Sequence, residues 1–538
     1  MTTTGTDRSA RWRSRATRLL HSALALVLIA MMYFMGVYSE RTGFVHQVLD
    51  PGIRRATHPV LNAFRGKPPA VSVLKLEFSE TDQDSLDRIR AIATEQGWLE
   101  SAGNPLFSAN ASVDDRELGA WAGLREGNAE ILSGRRWPWH VRLSPDDSLL
   151  GMSTFDLVPV DDTRQLWAWL FLRLLQEEGI PALGHGFIDL HLNGRDLGLY
   201  AVEGRVDGRQ LKQWGLGPGP VVRFDDGLLT NTRRAMAQRI YPSEMPAQGD
   251  WLTAPILASR LDRVLEDPEA ARRFQSAVIA LEALRDGRST PSAILDVDRL
   301  ARLLALSDLF GATAAVEWWS MRFLADSLTG KLIALPQRGL AGEPIGMLLG
   351  VRGQEAARAQ GRAITFHGRL FGDTAIHLRY IAWLDTFSTL GRVEAMLDRV
   401  SAGLDEKEKI LRAAMPDAAL TRDVIEHDLT VVRQTLRPRD LLLAYTQAGG
   451  GERRRLSVAN VHSLPVIVDM AIAGTDTMHL SRPLLLYPRE AGKPLFYRSL
   501  VLDRPVAQDV PITLLAATWG LRDRSAVQVR TWSTLPAN

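Results

Sequence analysis

A short stretch resembling part of a phosphate-binding loop is the first place where residue types and spacing could do chemistry. Leu328-Thr329-Gly330-Lys331 has the glycine and lysine that end a P-loop, in which backbone N–H groups and the lysine hold phosphates. Leu332, however, occupies the position of the Ser or Thr that binds magnesium, and no glycine stands five residues before Gly330. The stretch therefore predicts a β-turn rather than a nucleotide site.

Several common catalytic motifs do not occur in the sequence. It contains no Gly-x-Ser-x-Gly elbow and no His-Glu-x-x-His, so the usual signatures of serine hydrolases and zinc proteases are missing. The absence of cysteine excludes disulfides, thiolate zinc sites and cysteine nucleophiles. His367 and His377 lie ten residues apart on different predicted elements, which is more typical of ordinary histidines than of a metal site.

Hydrophobic periodicity and turn residues predict the elements that must position any functional side chains. Apolar and polar residues alternate over residues 71–78, as in a β-strand. Residues 82–97 follow with the apolar spacing of a helix. Asn193-Gly194 stands between two apolar runs, which predicts a β-hairpin. Residues 251–411 are mainly helical in pattern, whereas residues 456–538 contain short apolar runs separated by turn residues, as in a small all-β sandwich.

Composition limits the class of protein. The chain has 538 residues, of which 46% are hydrophobic and 23% are charged, so it is globular rather than fibrous or disordered. Its 64 basic and 62 acidic side chains give a formal net charge of +2, which predicts no nucleic-acid partner. At roughly 150 residues per domain, the length leaves room for about three domains.

The N-terminal segment predicts a membrane anchor. Five arginines lie within residues 1–18, and residues 19–38 contain no Asp, Glu, Lys or Arg. A run of about 20 such residues spans a hydrocarbon core of roughly 30 Å as one helix, and the preceding arginines favour a cytoplasmic N-terminus. We therefore expect a cytoplasmic tail at 1–18, a transmembrane helix at 19–38 and a linker at 39–70. This predicts a single-pass protein of the bacterial inner membrane whose main domain is extracytoplasmic.

Five stretches of the chain resemble the spore coat protein H (CotH) kinase-like family. They are residues 149–155, 187–192, 193–203, 221–225 and 315–331, of which 193–203 (NGRDLGLYAVE) is the most specific. The resemblance implies an α+β fold with an atypical protein-kinase-like two-lobe domain at 71–447 and a β-sandwich domain at 456–538. It also implies that ATP and Mg or Mn lie between the lobes and that phosphate passes to Ser or Thr.

The resemblance further implies roles for individual residues. Glu317 stands for the catalytic Asp that orients the accepting hydroxyl. Arg142 matches the strand that carries the basic group on the phosphates, and Arg125 is a second candidate for that group. Glu203, which follows the Asn-Gly hairpin, caps the nucleotide edge. Surface arginines and a structural salt bridge remain the alternative interpretations of these cofactor-binding candidates.

Three positions depart from the family pattern. Trp319 and Ser320 replace an expected His and Asn, and Arg338 stands where the metal-binding Asp is expected. A guanidinium cannot coordinate a divalent cation and would repel one. We therefore expect a degenerate kinase, without a metal site, that binds an envelope protein partner or an anionic ligand. The alternatives are an active Ser/Thr kinase or nucleotidyl transferase, and a structural protein of envelope assembly.

Overall fold

The structure is a computed structural model that describes most of the chain beyond residue 68. The described residues are 69–99, 104–128, 136–227, 251–358, 364–416, 418–447, 453–490 and 492–531, with the single residues 31, 134 and 229. One compact unit comprises residues 69–412 and 417–538, and a second comprises residues 1–68 and 413–416.

A closed seven-stranded β-barrel forms the first part of the larger unit. Its neighbourhood contains β1 (Val73–Glu77), α1 (Glu80–Gln96), β2 (Trp98–Leu99), β3 (Phe107–Val113), β4 (Arg116–Leu124), β5 (Gly127–Asn128), β6 (Trp139–Leu143), β7 (Thr154–Pro159), α2 (Arg164–Glu177), β8 (His185–Leu192), β9 (Arg195–Gly204) and α3 (Gly208–Gln213). The barrel strands neighbour one another in the order β1-β3-β4-β6-β7-β9-β8. Adjacent strands are antiparallel, except that β1 closes the barrel by pairing in parallel with β8.

Alternating apolar residues give the barrel its core. Trp139 and Val141 of β6 and Phe155 and Leu157 of β7 are fully buried in one hydrophobic cluster. Because successive residues of a strand point to opposite faces, the residues between them point out of the barrel. Polar side chains placed at these alternate positions therefore lie on the outer surface, where a site can form.

Local signals in the sequence explain several element ends. Ser79 caps α1 by accepting a hydrogen bond from the backbone N–H of Asp82, so the helix begins two residues before the predicted start. The predicted Asn193-Gly194 hairpin is confirmed: both residues have positive φ angles, of 47° and 74°, and join β8 to β9. Such angles are those of the two-residue turns that fit the twist of a hairpin.

Helices and a four-stranded sheet form the middle of the unit. The elements are β10 (Val221–Phe224), β11 (Ile256–Ala258), α4 (Leu261–Glu266), α5 (Pro268–Asp286), α6 (Pro291–Ile294), α7 (Val297–Leu309), a 3₁₀ turn (Thr313–Val316), β12 (Met321–Ala325), β13 (Leu332–Pro336), α8 (Leu349–Arg358), α9 (Phe366–Phe371), α10 (Thr374–Ser388), α11 (Arg392–Ala414) and α12 (Asp423–Leu436). The sheet has the order β11-β10-β12-β13. One large hydrophobic cluster joins this sheet, α2 and most of these helices.

The turn between β12 and β13 is the one predicted at residues 328–331, and it is confirmed. Gly330 has a φ of 68°, and its N–H donates to the Asp326 carbonyl at 3.0 Å. The Asp326 carboxylate accepts from the backbone N–H of Leu328 and of Thr329. The carboxylate of Asp326 thus holds a tight loop, and no phosphate is needed to explain the Gly330-Lys331 pair.

Two further four-stranded sheets form the C-terminal region. Their strands are β14 (Leu442–Thr446), β15 (Arg455–Asn460), β16 (Val466–Ala473), β17 (Asp476–Leu486), β18 (Arg498–Val501), β19 (Ile512–Thr518), β20 (Ser525–Gln528) and β21 (Arg530–Thr531). The strand orders are β18-β15-β14-β21 and β17-β16-β19-β20. β14 lies before residue 456, the predicted start of the β domain. It nevertheless pairs with β15 and so belongs to the same sheet.

The predicted kinase-like two-lobe fold is wrong. The architecture is mixed α/β with a closed seven-stranded barrel, in place of the expected N-terminal lobe. β1 pairs with β3 on one side and with β8 on the other, so the barrel sheet has no open edge. The closing pair aligns Val73 with Asp189, and a contact so distant along the chain leaves no local pattern in the sequence.

The predicted membrane topology also requires correction. No helix in the described ranges is both long and apolar enough to cross a bilayer. Residues 19–38, to which the spanning helix was assigned, lie outside those ranges apart from Met31. The prediction of a single-pass inner-membrane protein with an extracytoplasmic domain is accordingly withdrawn.

Candidate functional site

A row of polar side chains crosses four neighbouring barrel strands. His140 on β6 lies opposite Asp156 on β7, and Asp156 lies opposite Glu203 on β9. On the next strand, β8, His185 lies opposite Glu203. Residues directly opposite on antiparallel strands share a face. Because the adjacent Phe155 belongs to the barrel core, this row lies on the outer face of the barrel.

Asp156 is the centre of the charges on this face. It is 4% exposed and accepts two hydrogen bonds from Arg205, at 2.8 and 3.0 Å. The Arg125 guanidinium lies 3.4 Å away, and His140 Nδ1 lies 2.8 Å away. Burial alone would raise the pKa of Asp156, but Arg205, His140 and Arg125 outweigh it and hold the pKa well below its usual range. Asp156 is therefore ionised at any physiological pH.

Two glutamates complete the pairing of these arginines. Arg205 Nη2 donates to Glu126 Oε1 at 3.2 Å, and Arg125 Nη1 lies 3.4 Å from Glu203 Oε2. The second Glu203 oxygen accepts a long hydrogen bond, of 3.4 Å, from the Gln165 amide at the start of α2. The set Arg125, Glu126, Asp156, Glu203 and Arg205 is called the charged cluster below. Its two arginines are shared among three carboxylates.

Arg338 is brought to the charged cluster by a loop that fits closely against α2. The loop follows β13, and a Cβ at Gly339 would lie 2.6 Å from the Ala168 carbonyl oxygen. At Gly342, with a φ of 90°, a Cβ would lie 2.5 Å from the Trp167 ring. Only glycine fits these two positions without a shift of the helix. The close approach fixes the backbone directly after Arg338 and again at Gly342.

The Arg338 guanidinium has no partner among the described residues. It is partly buried, and within the described ranges it makes no hydrogen bond and no ion pair. Burial and the Arg125 charge lower the pKa of Arg338, whereas Glu203, Asp156 and Glu126 act in the opposite direction. These carboxylates are thus near enough to influence Arg338, yet each is in contact with another arginine.

Arg322 is a second buried guanidinium without a carboxylate partner in the described part of the chain. It lies on β12, is 9% exposed and donates to the backbone carbonyls of Trp319 and Met321 at 3.1 and 3.0 Å. It also donates to the Gln337 side chain, next to Arg338. Burial lowers the pKa of Arg322 to about 9, and nearby guanidinium groups, that of Arg338 among them, contribute to the decrease. The neighbourhood of Arg338 therefore contains two guanidinium groups, its own and that of Arg322, that no carboxylate in the described ranges contacts.

Three of the seven residues singled out from the sequence are brought together, and the other four are not. Arg125, Glu203 and Arg338 belong to or border the charged cluster. Arg142 lies two residues after His140 on β6, but its guanidinium lies over the Trp121 ring, 5.2 Å from the ring centre. Arg125 rather than Arg142 is therefore the basic residue beside Glu203.

Glu317, the predicted catalytic residue, belongs to a different group. Its carboxylate lies 3.7 Å from Arg352 Nη1 and 3.8 Å from His367 Nδ1. The other ring nitrogen of His367 lies 3.1 Å from the Val316 carbonyl oxygen. Burial lowers the pKa of His367, while Glu317 acts in the opposite direction. These contacts link α8 and α9 to the turn before β12.

The two other divergent positions also belong to this turn. The Ser320 N–H donates to the Glu317 carbonyl at 2.9 Å, and the Ser320 carbonyl accepts from the Gln337 N–H at 3.0 Å. The Trp319 ring meets the Trp318 ring edge-on, with their centres 5.7 Å apart. Trp318 is buried in the helical core. Trp319 and Ser320 therefore shape the entry to β12.

Sequence reasoning missed the members of the site that depend on tertiary contacts. Asp156 is the one charged residue within the apolar strand TFDLVP, and this position on the outward face was a usable signal. Arg205 reaches Asp156 from 49 positions along the chain, and no local pattern predicts such a contact. Arg322 lies within the stretch 315–331, but the burial of its guanidinium is invisible in a sequence.

The residues around Arg338 do not fit the divalent metal ion that the family resemblance implies. The described ranges contain no group of three His, Asp or Glu side chains placed to hold a metal ion. Asp156 and Glu203 both contact Arg125, and Arg338 adds another positive charge beside them. A dication there would have to displace or repel these guanidinium groups.

Comparison with known proteins identifies no relative. No protein-family model matches the chain, and no curated protein matches it. The resemblance to the CotH family therefore remains a hypothesis that depends on the five stretches at residues 149–331.

Proposed function

We propose that this chain is a catalytically degenerate relative of the CotH family that binds a phosphate-bearing ligand through Arg338. The observation that carries the proposal is a partly buried guanidinium with no acceptor among the described residues. A guanidinium has five N–H donors in a planar fork that matches the oxygens of a phosphate. A ligand oxyanion would supply the acceptors that Arg338 lacks.

The neighbours of Arg338 favour an anion over a cation. Arg125 and Arg205 are already paired, so they keep their carboxylates from drawing a free cation into the site. Arg322 adds a buried positive charge that no described carboxylate contacts. Arg338 is therefore a guanidinium whose donors remain open to an oxyanion, whereas a cation would meet carboxylates that are already paired.

Calorimetric titration of the full-length chain tests the proposal. The probes are ATP, pyrophosphate and inorganic phosphate, each with and without magnesium. Arg338→Gln is expected to weaken binding roughly 10- to 100-fold, the effect of losing a hydrogen bond to a charged group of about 1.5–3 kcal/mol. Arg164→Gln is the control, because the Arg164 side chain is 81% exposed and pairs only with Asp162 among the described carboxylates.

Other outcomes would replace the proposal. Equal affinity of wild type and Arg338→Gln for all three probes would contradict it, and loss of binding in Arg142→Gln alone would move the phosphate site to β6. Transfer of labelled phosphate from ATP with magnesium or manganese, abolished by Glu317→Gln, would establish the alternative, an active phosphotransferase. Binding that strictly requires magnesium would also count against a site without a metal ion.

A further inference from the structure

A cavity of about 460 Å³ lies outside the charged cluster. Its walls come from residues 150–152, α2, the start of β8, α3 and α11. The volume falls within the range of roughly 300–1,000 Å³ that is usual for small-molecule sites. Neither Arg338 nor any member of the charged cluster lines it. It is therefore a separate candidate site.

Two indole rings and several amides line this cavity. Trp169 enters it from α2, and Trp214 from the end of α3. Trp169 fits against α11 because Gly403 has no side chain: a Cβ there would lie 2.8 Å from the indole. The amide side chains are Gln176, Gln210 and Gln213. Flat aromatic surfaces beside hydrogen-bonding amides suit a ligand that has both apolar faces and polar edges.

Two hydrogen-bond acceptors of the lining residues have no donor in the described part of the chain. Gln210 is 3% exposed, and its Oε1 is unpartnered. His185 Nε2 lies 2.9 Å from Gln165 Oε1, so its proton donates there and Nδ1 keeps its lone pair, also unpartnered. Burial lowers the pKa of His185 to about 4, which keeps the ring neutral at pH 7. Buried acceptors without donors are rare, because each costs free energy unless something supplies a hydrogen bond.

The charged side chains of the cavity are already paired. Arg173 lies 2.5 Å from Glu177, and Lys407 lies 2.8 Å from Glu406. Neither cation is therefore left to hold an anion, and their presence disfavours a cationic ligand. The chemistry that remains is neutral hydrogen bonding next to aromatic faces.

We propose that this cavity binds a neutral, hydroxyl-rich ligand of about the size of one sugar ring. A hydroxyl group donates to Gln210 Oε1 and another to His185 Nδ1, the two acceptors that have no donor among the described residues. The apolar face of the ring packs on Trp214. A sugar ring has this combination of C–H faces and O–H edges, whereas phosphate, the ligand proposed for Arg338, has no C–H face and carries a negative charge.

Saturation-transfer NMR with the full-length chain tests this proposal. The probes are D-glucose, D-galactose, N-acetyl-D-glucosamine and myo-inositol. We expect transfer to at least one of them, with the affinity reduced about tenfold or more in Trp214→Leu and in His185→Asn. Arg164→Gln and Arg338→Gln are the controls and should leave this binding unchanged, which separates the cavity from the phosphate site.

Two results would overturn the proposal. One is that none of the four probes binds at concentrations up to roughly 50 mM, well above the millimolar range of weak specific sites. The other is that a probe binds wild type, Trp214→Leu and His185→Asn with equal affinity. Circular dichroism melting of each variant shows whether it is folded, and if Trp214→Leu is not, His185→Asn alone decides the outcome.

Discussion

Replacement of Asp308 by Asn should change how the stability of this protein depends on pH. Asp308 lies on α7, is fully buried and holds the start of α8 by accepting from the Leu349 N–H at 3.0 Å. It also accepts a hydrogen bond from the Tyr380 hydroxyl. The start of α8, which it fixes, is buried in the helical core.

The magnitude follows from the pKa of Asp308 in the two states. Burial raises it from 3.8 to about 7 in the folded protein, although the hydrogen bonds from Tyr380 and Leu349 lower it. The folded state therefore binds this proton more tightly than the unfolded state, and stability falls as pH rises from about 4 to about 7. A difference of about 3 pKa units corresponds to at most about 4 kcal/mol.

Urea unfolding of wild type and Asp308→Asn at pH 5 and pH 8 measures this difference. Asn cannot ionise, so the variant should lack the decrease in stability that Asp308 causes in wild type between pH 5 and pH 8. We expect Asp308→Asn to be less stable than wild type at pH 5, because the amide cannot make the same two hydrogen bonds. When the pH is raised from 5 to 8, the difference in unfolding free energy between the two proteins should shift by a few kcal/mol in favour of the variant. Buried histidines such as His185 titrate in both proteins and cancel in the comparison. An unchanged difference between the two proteins at the two pH values would refute the reasoning.

Two further substitutions test the charged cluster and the loop beside it. Asp156→Asn should destabilise the protein by about 3 kcal/mol in urea unfolding, because it removes the buried carboxylate that contacts both Arg125 and Arg205 and leaves each of them with one glutamate. Asp115→Asn, at a side chain that is 91% exposed, should cost less than about 1 kcal/mol, and equal losses would contradict the account. Gly339→Ala should lower both the melting temperature and the affinity for phosphate probes, since its Cβ would clash with the Ala168 carbonyl. Gly346→Ala, with open space around the added methyl group, should change neither, and a similar effect of both would count against a fitted loop.

Features encoded by neighbouring residues were predictable from the sequence. The Asn193-Gly194 hairpin and the turn at Gly330 follow from the conformations that these residues favour. The start of α1 was missed by two residues because Ser79, rather than the first apolar residue, sets it. Local preference acts over a few residues, and such signals are visible without a structure.

Features that depend on distant contacts were not predictable in the same way. Closure of the barrel requires β1 to pair with β8, and this contact is part of why the fold differs from the predicted kinase-like two lobes. The pairing of Arg205 with Asp156 likewise joins residues far apart in the chain. Arg338 was singled out because it stands where the family resemblance places a metal-binding Asp, but its place beside the charged cluster depends on the packing of Gly339 against α2.

A crystal structure of the protein with a bound thiophosphate analogue of ATP would test the central claim most directly. We predict that phosphate oxygens lie about 2.7–2.9 Å from the Arg338 guanidinium nitrogens, while Arg125 and Arg205 keep their carboxylate partners. The claim would be contradicted if the analogue bound elsewhere and Arg338 stayed without a ligand, or if a divalent metal ion occupied the space between Arg338 and Asp156.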